Sequence, residues 1–151
     1  MKDKEGNKII VPNGILLEQV RALLAEGKEV ILLTKGQSMM PFIRGERDSV
    51  AMIHRDNVSV GDIVLAKVEG GRYVLHRVIK IEDGLITLMG DGNIRGHEHT
   101  VPERVAGTVT RIIKPSGREI KPGRGRLWKI LLPFRRIILG VYRRWLKVFG
   151  R

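Results

Sequence analysis

The sequence predicts a mainly β domain with an N-terminal helix and a C-terminal basic amphipathic helix, and three observations carry that prediction. Short runs rich in β-branched and apolar residues recur from residue 29 to 113, each closed by a Gly or Asp turn. Ahead of them, Ile15, Leu16, Val20, Leu23 and Leu24 repeat at helical spacing up to Gly27. Beyond them, Leu127, Leu131, Phe134, Ile138, Val141, Trp145 and Phe149 fall on one helical face, with Lys129, Arg136, Arg143 and Lys147 largely opposite.

In chain order, Pro12-Asn13-Gly14 makes a turn that opens a helix over 14–26. Glu29 to Thr34 is a short β-rich run that leads into a loop containing Ser38. Further strands are expected over 48–53, 63–68, 73–79, 85–89 and 105–110. Glu69-Gly70-Gly71-Arg72 and Glu82-Asp83-Gly84 have hairpin-turn composition, which makes their flanking strands antiparallel neighbours. Five to seven short strands of this kind imply a closed or coiled sheet, and no internal repeat is present. Residues 114–126 combine Pro, Gly and charge, the composition of an exposed linker. The expected organisation is a β domain over 1–113, a linker over 114–126 and a helical tail over 127–151, with Pro133 starting a second helix or kinking the first.

A chain of 151 residues with 42% hydrophobic content fits one domain with a real core. The absence of cysteine excludes a disulfide framework, a thiol nucleophile and Cys-ligated zinc. The net charge of +12 is unevenly placed: residues 1–110 balance 15 basic against 15 acidic side chains, whereas residues 111–151 carry 13 against Glu119 alone. A basic field of this kind attracts phosphate, on lipid headgroups or on nucleic acid. The amphipathic spacing favours an anionic membrane surface for residues 127–151, and no nucleic-acid-binding motif accompanies the charge. The start of the chain lacks the pattern of a secretory signal, and no run of about 18 apolar residues occurs. The expectation is a cytoplasmic protein or one peripheral at a membrane.

Chemistry is suggested by four short segments in fixed order: Gly36-Gln37-Ser38-Met39-Met40-Pro41, Gly61-Asp62-Ile63-Val64, His76-Arg77-Val78-Ile79 and Gly90-Asp91-Gly92-Asn93. Each is ordinary alone, since such turns and single strand histidines are common. A serine between a flexible Gly and a stiffening Pro presents its hydroxyl together with free backbone N–H groups, the pairing acyl transfer needs. His76 alternates with Val74 and Val78 on one strand face; a histidine there is either a satisfied core residue or a general base for a serine hydroxyl. His97 and His99 share the spacing of two strand-borne metal ligands, but no third ligand lies near them in sequence, so neither a metal nor a cofactor is expected.

Taken together, the four segments resemble the signal peptidase family, in its branch with a Ser–His pair. The Ser-Met-x-Pro nucleophile box is matched by Ser38-Met39-Met40-Pro41, the Gly-Asp-Ile-Val strand opening by residues 61–64, the His-Arg-Val base box by residues 76–78, and the last Gly-Asp box by residues 90–93. The resemblance covers roughly residues 34–113 and implies a signal peptidase/LexA-like coiled β-fold. It implies a serine endopeptidase acting on a polypeptide, with Ser38 as nucleophile and His76 as general base. Asp91 is the implied orienting acid and Glu98 the alternative. The Ser38 N–H with a neighbour near Gly36 or Gln37 would form the oxyanion hole, in a turn shaped by Met39 and Pro41. Small residues on the acyl side of the cut, as in Ala-x-Ala, are the implied substrate class, or else one dedicated precursor.

Three features depart from the family pattern. No membrane anchor is expected ahead of the serine from residues 1–37, where the family pattern carries one, the usual second acid shortly after the Gly-Asp box is replaced by Ile94-Arg95-Gly96-His97-Glu98-His99, and a basic tail is added. The tail either replaces the anchor at a membrane surface or packs on the domain. The competing class is a catalytically inactive peptide-binding module or membrane-surface adaptor, which predicts that Ser38 and His76 do not meet.

Overall fold

The computed structural model describes residues 14–150. The turn expected at Pro12-Asn13 and the charged start of the chain lie outside the described residues. Helix α1 (Gly14–Ala25) is followed by β1 (Val30–Leu33), β2 (Ser49–Ile53), β3 (Ile63–Lys67), β4 (Tyr73–Glu82), β5 (Leu85–Met89), β6 (Glu98–Thr100), β7 (Val105–Ile113) and β8 (Glu119–Ile120). The chain ends in α2 (Arg126–Ile130), a 3-10 turn (Leu132–Phe134) and α3 (Arg135–Phe149). Every strand pairing is antiparallel, in the order β1-β2-β7-β3-β4-β5-β6, with β8 added to β7. The mainly β expectation is thus met by one curled sheet with a helix at each end of the chain.

Period-two alternation explains why this sheet needs cover on both faces. On β3, Ile63 and Leu65 join a core cluster with Val20 and Leu24 of α1, while Val64 and Ala66 join a second cluster with Val74, Val78, Ile86 and Leu88. A central strand apolar on both sides reads as a continuous hydrophobic run, as Ile63-Val64-Leu65-Ala66 does. Register shifts at Ala51/Met52, Leu65/Ala66 and Val78/Lys80 interrupt the ladders. Irregularities of this kind bend a strand and increase its twist, which lets the sheet curl around both clusters. Leu24 is fully buried, and truncating such a leucine to alanine typically costs about 2–5 kcal/mol.

Two elements extend the expected set. Glu98-His99-Thr100, outside the strands expected from sequence, pairs with β5. Residues 119–120, read as part of a linker, pair with β7, so the sheet continues past residue 113. The segment after β8 is also engaged: the Gly123 carbonyl accepts from Arg77 Nη1 at 2.6 Å, and Arg124 pairs with Asp62. Pro133 sits in the 3-10 turn that separates α2 from α3. The tail packs on the body through Trp128, Arg135 and Leu139, all buried. No described helix is long and apolar enough to cross a membrane.

Candidate active site

Ser38 stands in the long loop between β1 and β2, and the neck of that loop is tied shut. Thr34 N–H and Oγ1 both donate to the Asp48 carbonyl, at 3.0 and 2.8 Å. The Asp48 carboxylate accepts from Arg44 N–H at 2.8 Å and from Lys114 Nζ at 2.6 Å. Above the neck, Met39, Met40 and Ile43 are buried and pin the loop to the body, leaving Ser38 partly exposed between them and the exposed Gly36 and Gln37. The Met40–Pro41 peptide is cis.

The Gly90-Asp91-Gly92-Asn93 segment lies directly beneath this loop. Gly92 N–H donates to the Ser38 carbonyl at 2.7 Å. A Cβ at Gly90 would stand 2.4 Å from the Ser38 carbonyl oxygen and 3.1 Å from His76 Nε2, and one at Gly92 would stand 2.7 Å from the Gln37 carbonyl oxygen. Glycine is required at both positions by close approach of backbone.

His76 projects from β4, paired in register with Val64 of β3, and is 5% exposed. Its Nε2 lies 3.1 Å from Ser38 Oγ, and its Nδ1 lies 2.8 Å from Glu98 Oε2. A carboxylate can only accept, so Nδ1 carries the proton and Nε2 is left to accept the serine hydroxyl. Ser38, His76 and Glu98 therefore form a continuous hydrogen-bonded chain. Glu98 is held from its other side by Arg72 Nη2 at 3.3 Å. Among the described residues, the N–H groups of Gln37 and Ser38 donate to no partner, which leaves two backbone donors beside the hydroxyl. The three side chains open into a cleft of about 340 Å³ bordered also by Gly36, Tyr73 and Leu75.

Asp91 is placed differently from the sequence expectation. It does not face His76. Both of its oxygens are engaged by Arg77, with Oδ1 accepting from Nε at 2.8 Å and Oδ2 from Nη2 at 2.7 Å. The physical reason lies in the alternation of β4: His76 and Arg77 are consecutive, so their side chains leave opposite faces, and the buried guanidinium requires a counter-charge where it emerges. Arg77 is 5% exposed and Asp91 is 2% exposed, so neither is solvated elsewhere. Arg77 Nη1 also donates to the Gly61 carbonyl at 2.9 Å. The Gly-Asp opening of β3 is thereby a backbone anchor for this arginine, and the Asp62 carboxylate itself accepts from Ser59 N–H at 2.9 Å and pairs with Arg124.

The signal that could have separated the two acids was present in the sequence. An arginine in an apolar strand is seldom buried without a carboxylate, and the nearest box offering one is Gly90-Asp91. Glu98 then remains for the imidazole. His99 takes no part in this chain; its Nδ1 lies 3.3 Å from Thr87 Oγ1.

The tail reaches the same loops. Trp128 Nε1 donates to the Asp91 carbonyl at 2.8 Å, and its ring meets Phe42 edge-on with centroids 5.5 Å apart. Arg135 stacks over Trp128 at 5.1 Å and donates to the Asn93 carbonyl at 3.2 Å. Burial pushes the Arg135 guanidinium below its ordinary range; Asp91 opposes that push and Arg77 adds to it. No protein-family model matches the chain, and no curated protein matches it.

Proposed function

We propose that this protein is a serine endopeptidase resembling signal peptidases, with a signal peptidase/LexA-like fold. One observation carries the reading: His76 bridges Ser38 Oγ and Glu98 through its two ring nitrogens, at 3.1 and 2.8 Å. The nitrogen facing the hydroxyl is placed to accept its proton while the carboxylate fixes the tautomer of the other, the arrangement in which an imidazole serves a serine as general base. The inactive binding module predicted that serine and histidine lie apart, and their contact counts against it.

In the proposed reaction Ser38 Oγ attacks the scissile carbonyl carbon while its proton passes to His76 Nε2. The oxyanion that forms is held by the Gln37 and Ser38 N–H groups. Collapse of the tetrahedral intermediate breaks the C–N bond, and the leaving amine takes the proton from His76 Nε2. Water then attacks the Ser38 ester with His76 again as base, releasing the acid and restoring the hydroxyl. Glu98 keeps the Nδ1 proton in place and stabilises the imidazolium.

An extended peptide fits the strand arrangement. Pairing of β4 with β5 begins at Arg77, so the stretch Tyr73–His76 is paired on the β3 side alone. A strand edge open beside the nucleophile can hold a peptide backbone by hydrogen bonds, with side chains entering the cleft alternately. Substrates with small residues on the acyl side, of the Ala-x-Ala kind, follow from the family resemblance.

The test is covalent labelling by a serine-reactive probe, read by intact mass. Wild-type protein is expected to gain one adduct, Ser38→Ala none, and His76→Ala to label at least about a hundredfold more slowly, since general-base assistance contributes about 10²–10⁴ in rate. Equal labelling of wild type and His76→Ala would remove the base from the mechanism and return the chain to a binding role.

A further inference from the structure

We infer that the outward face of α2 and α3 is a docking surface for an anionic lipid bilayer. The inference stands on the tail alone and does not need the peptidase reading to hold.

The helical tail divides into three sectors. Arg135, Leu139, Tyr142 and Leu146 face the body and are buried or half-buried. Arg136, Arg143, Arg144 and Lys147 form a second sector. The third sector is apolar and uncovered: Phe134, Ile137, Val141, Trp145, Val148 and Phe149 recur at three- and four-residue spacing, and each is more than half exposed. Leu127 and Ile130 of α2 are likewise exposed. A globular helix normally spends its apolar face on the core. Here the core-facing sector is already filled and a second apolar stripe remains.

Charge identifies the occupant. No acidic residue follows Glu119, so every charged side chain of the two tail helices is basic. A second copy of this chain would bring that same positive field against itself. An anionic bilayer supplies both complements: acyl chains for Trp145 and the phenylalanines, and lipid phosphates for the arginines and lysines. With no described helix able to span, the geometry is that of a helix lying in the interface plane.

Docking would also fix where the serine sits. The C-terminal half of α3 borders the nucleophile loop, since Arg143, Leu146 and Lys147 line a cavity together with Gln37, Met40 and Arg44. Arg143 Nη2 reaches the Gly92 carbonyl at 3.4 Å. A bound helix therefore carries Ser38 to within roughly a helix diameter or two of the lipid, about 10–20 Å.

The experiment is co-sedimentation of the full chain with vesicles of phosphatidylcholine alone and of phosphatidylcholine with phosphatidylglycerol. Binding is expected with the anionic vesicles, and roughly tenfold or more weaker with neutral vesicles or in high salt. An Ile137→Glu, Val141→Glu double variant, altered at exposed positions, should keep its melting curve and lose at least about tenfold in binding. Because the chain lacks cysteine, a polarity-sensitive dye on Val141→Cys should shift to the blue on adding anionic vesicles, while the same dye on Glu26→Cys, in the turn just past α1, should not. Failure to sediment with either vesicle, equal sedimentation of the double variant, or a lipid-free dimer that the double variant abolishes would each overturn the inference. Ser38→Ala is expected to bind vesicles as wild type does, so the lipid result and the labelling result fail independently.

Discussion

The two carboxylates near the site offer the sharpest test, because the structure gives one a kinetic and the other a structural consequence. Glu98→Gln keeps shape and hydrogen-bonding reach while removing the charge that faces the imidazole. At 2.8 Å and an effective dielectric constant of about 20, the carboxylate–imidazolium attraction has an upper value of about 6 kcal/mol. The Glu98 side chain is 16% exposed and shares its charge with Arg72, and Gln still presents a dipole, so we expect a loss of about 2–4 kcal/mol in the transition state. That corresponds to labelling of Ser38 slowed about 30- to 1,000-fold, with the melting temperature nearly unchanged. Asp91→Asn does the reverse. It leaves the Arg77 guanidinium uncompensated in the core, at a cost of about 3–5 kcal/mol, which for a chain of this size lowers the melting temperature by about 10–15 °C. Thermal melting and probe labelling on both variants decide the matter. A Glu98→Gln protein that labels at the wild-type rate, beside an Asp91→Asn protein that melts normally but does not label, would refute the assignment.

Three further outcomes are expected. Gly90→Ala places a Cβ 2.4 Å from the Ser38 carbonyl oxygen, a backbone contact that cannot swing away; it should cost about 1–3 kcal/mol in stability and slow labelling by displacing the serine loop, whereas normal melting and labelling would mean the two loops separate freely. Trp128→Ala removes a buried ring and the bond to the Asp91 carbonyl, so chemical denaturation should register a loss of about 3–5 kcal/mol; a loss below about 1 kcal/mol would show that the tail does not brace the body. Truncation after residue 125 is expected to destabilise at least as much as Trp128→Ala, since it also removes Arg135 and Leu139, and a melting curve equal to the full chain would refute the packing argument.

Strand content was legible because burial is written in alternation. β3 has both faces apolar, and β4 alternates Val74, His76 and Val78 against Leu75 and Arg77, so strand identity and the face of His76 could be read directly. β6 could not be read: Glu98-His99-Thr100 has no apolar period, and it becomes a strand because β5 offers an edge at Ile86 to Leu88. For the same reason motif order alone points to Asp91, which belongs to a recognisable box, and only the demand of a buried Arg77 for a carboxylate redirects the imidazole to Glu98. The tail shows the complementary limit. Helical period identified an apolar face, yet period alone does not say how much of it the body covers; the structure half-buries Leu131 and Ile138 and leaves Phe134, Val141, Trp145 and Phe149 exposed.

The division of labour between Asp91 and Glu98 follows from electrostatics rather than from motif order. His76 and Arg77 are neighbours on a strand, so one carboxylate cannot serve both faces. If Asp91 turned to the imidazole, Arg77 would remain charged and buried against Gly61 and Gly123 carbonyls alone, an arrangement several kcal/mol poorer than the paired one. A histidine, in contrast, can remain neutral when buried, and so tolerates an acid that is partly solvated and reached across a strand edge. The stronger demand takes the interior carboxylate, and the imidazole takes the one at the cleft. That outcome also serves a base, because Glu98 can strengthen its hold as the imidazole gains charge without having been needed to keep the fold intact beforehand.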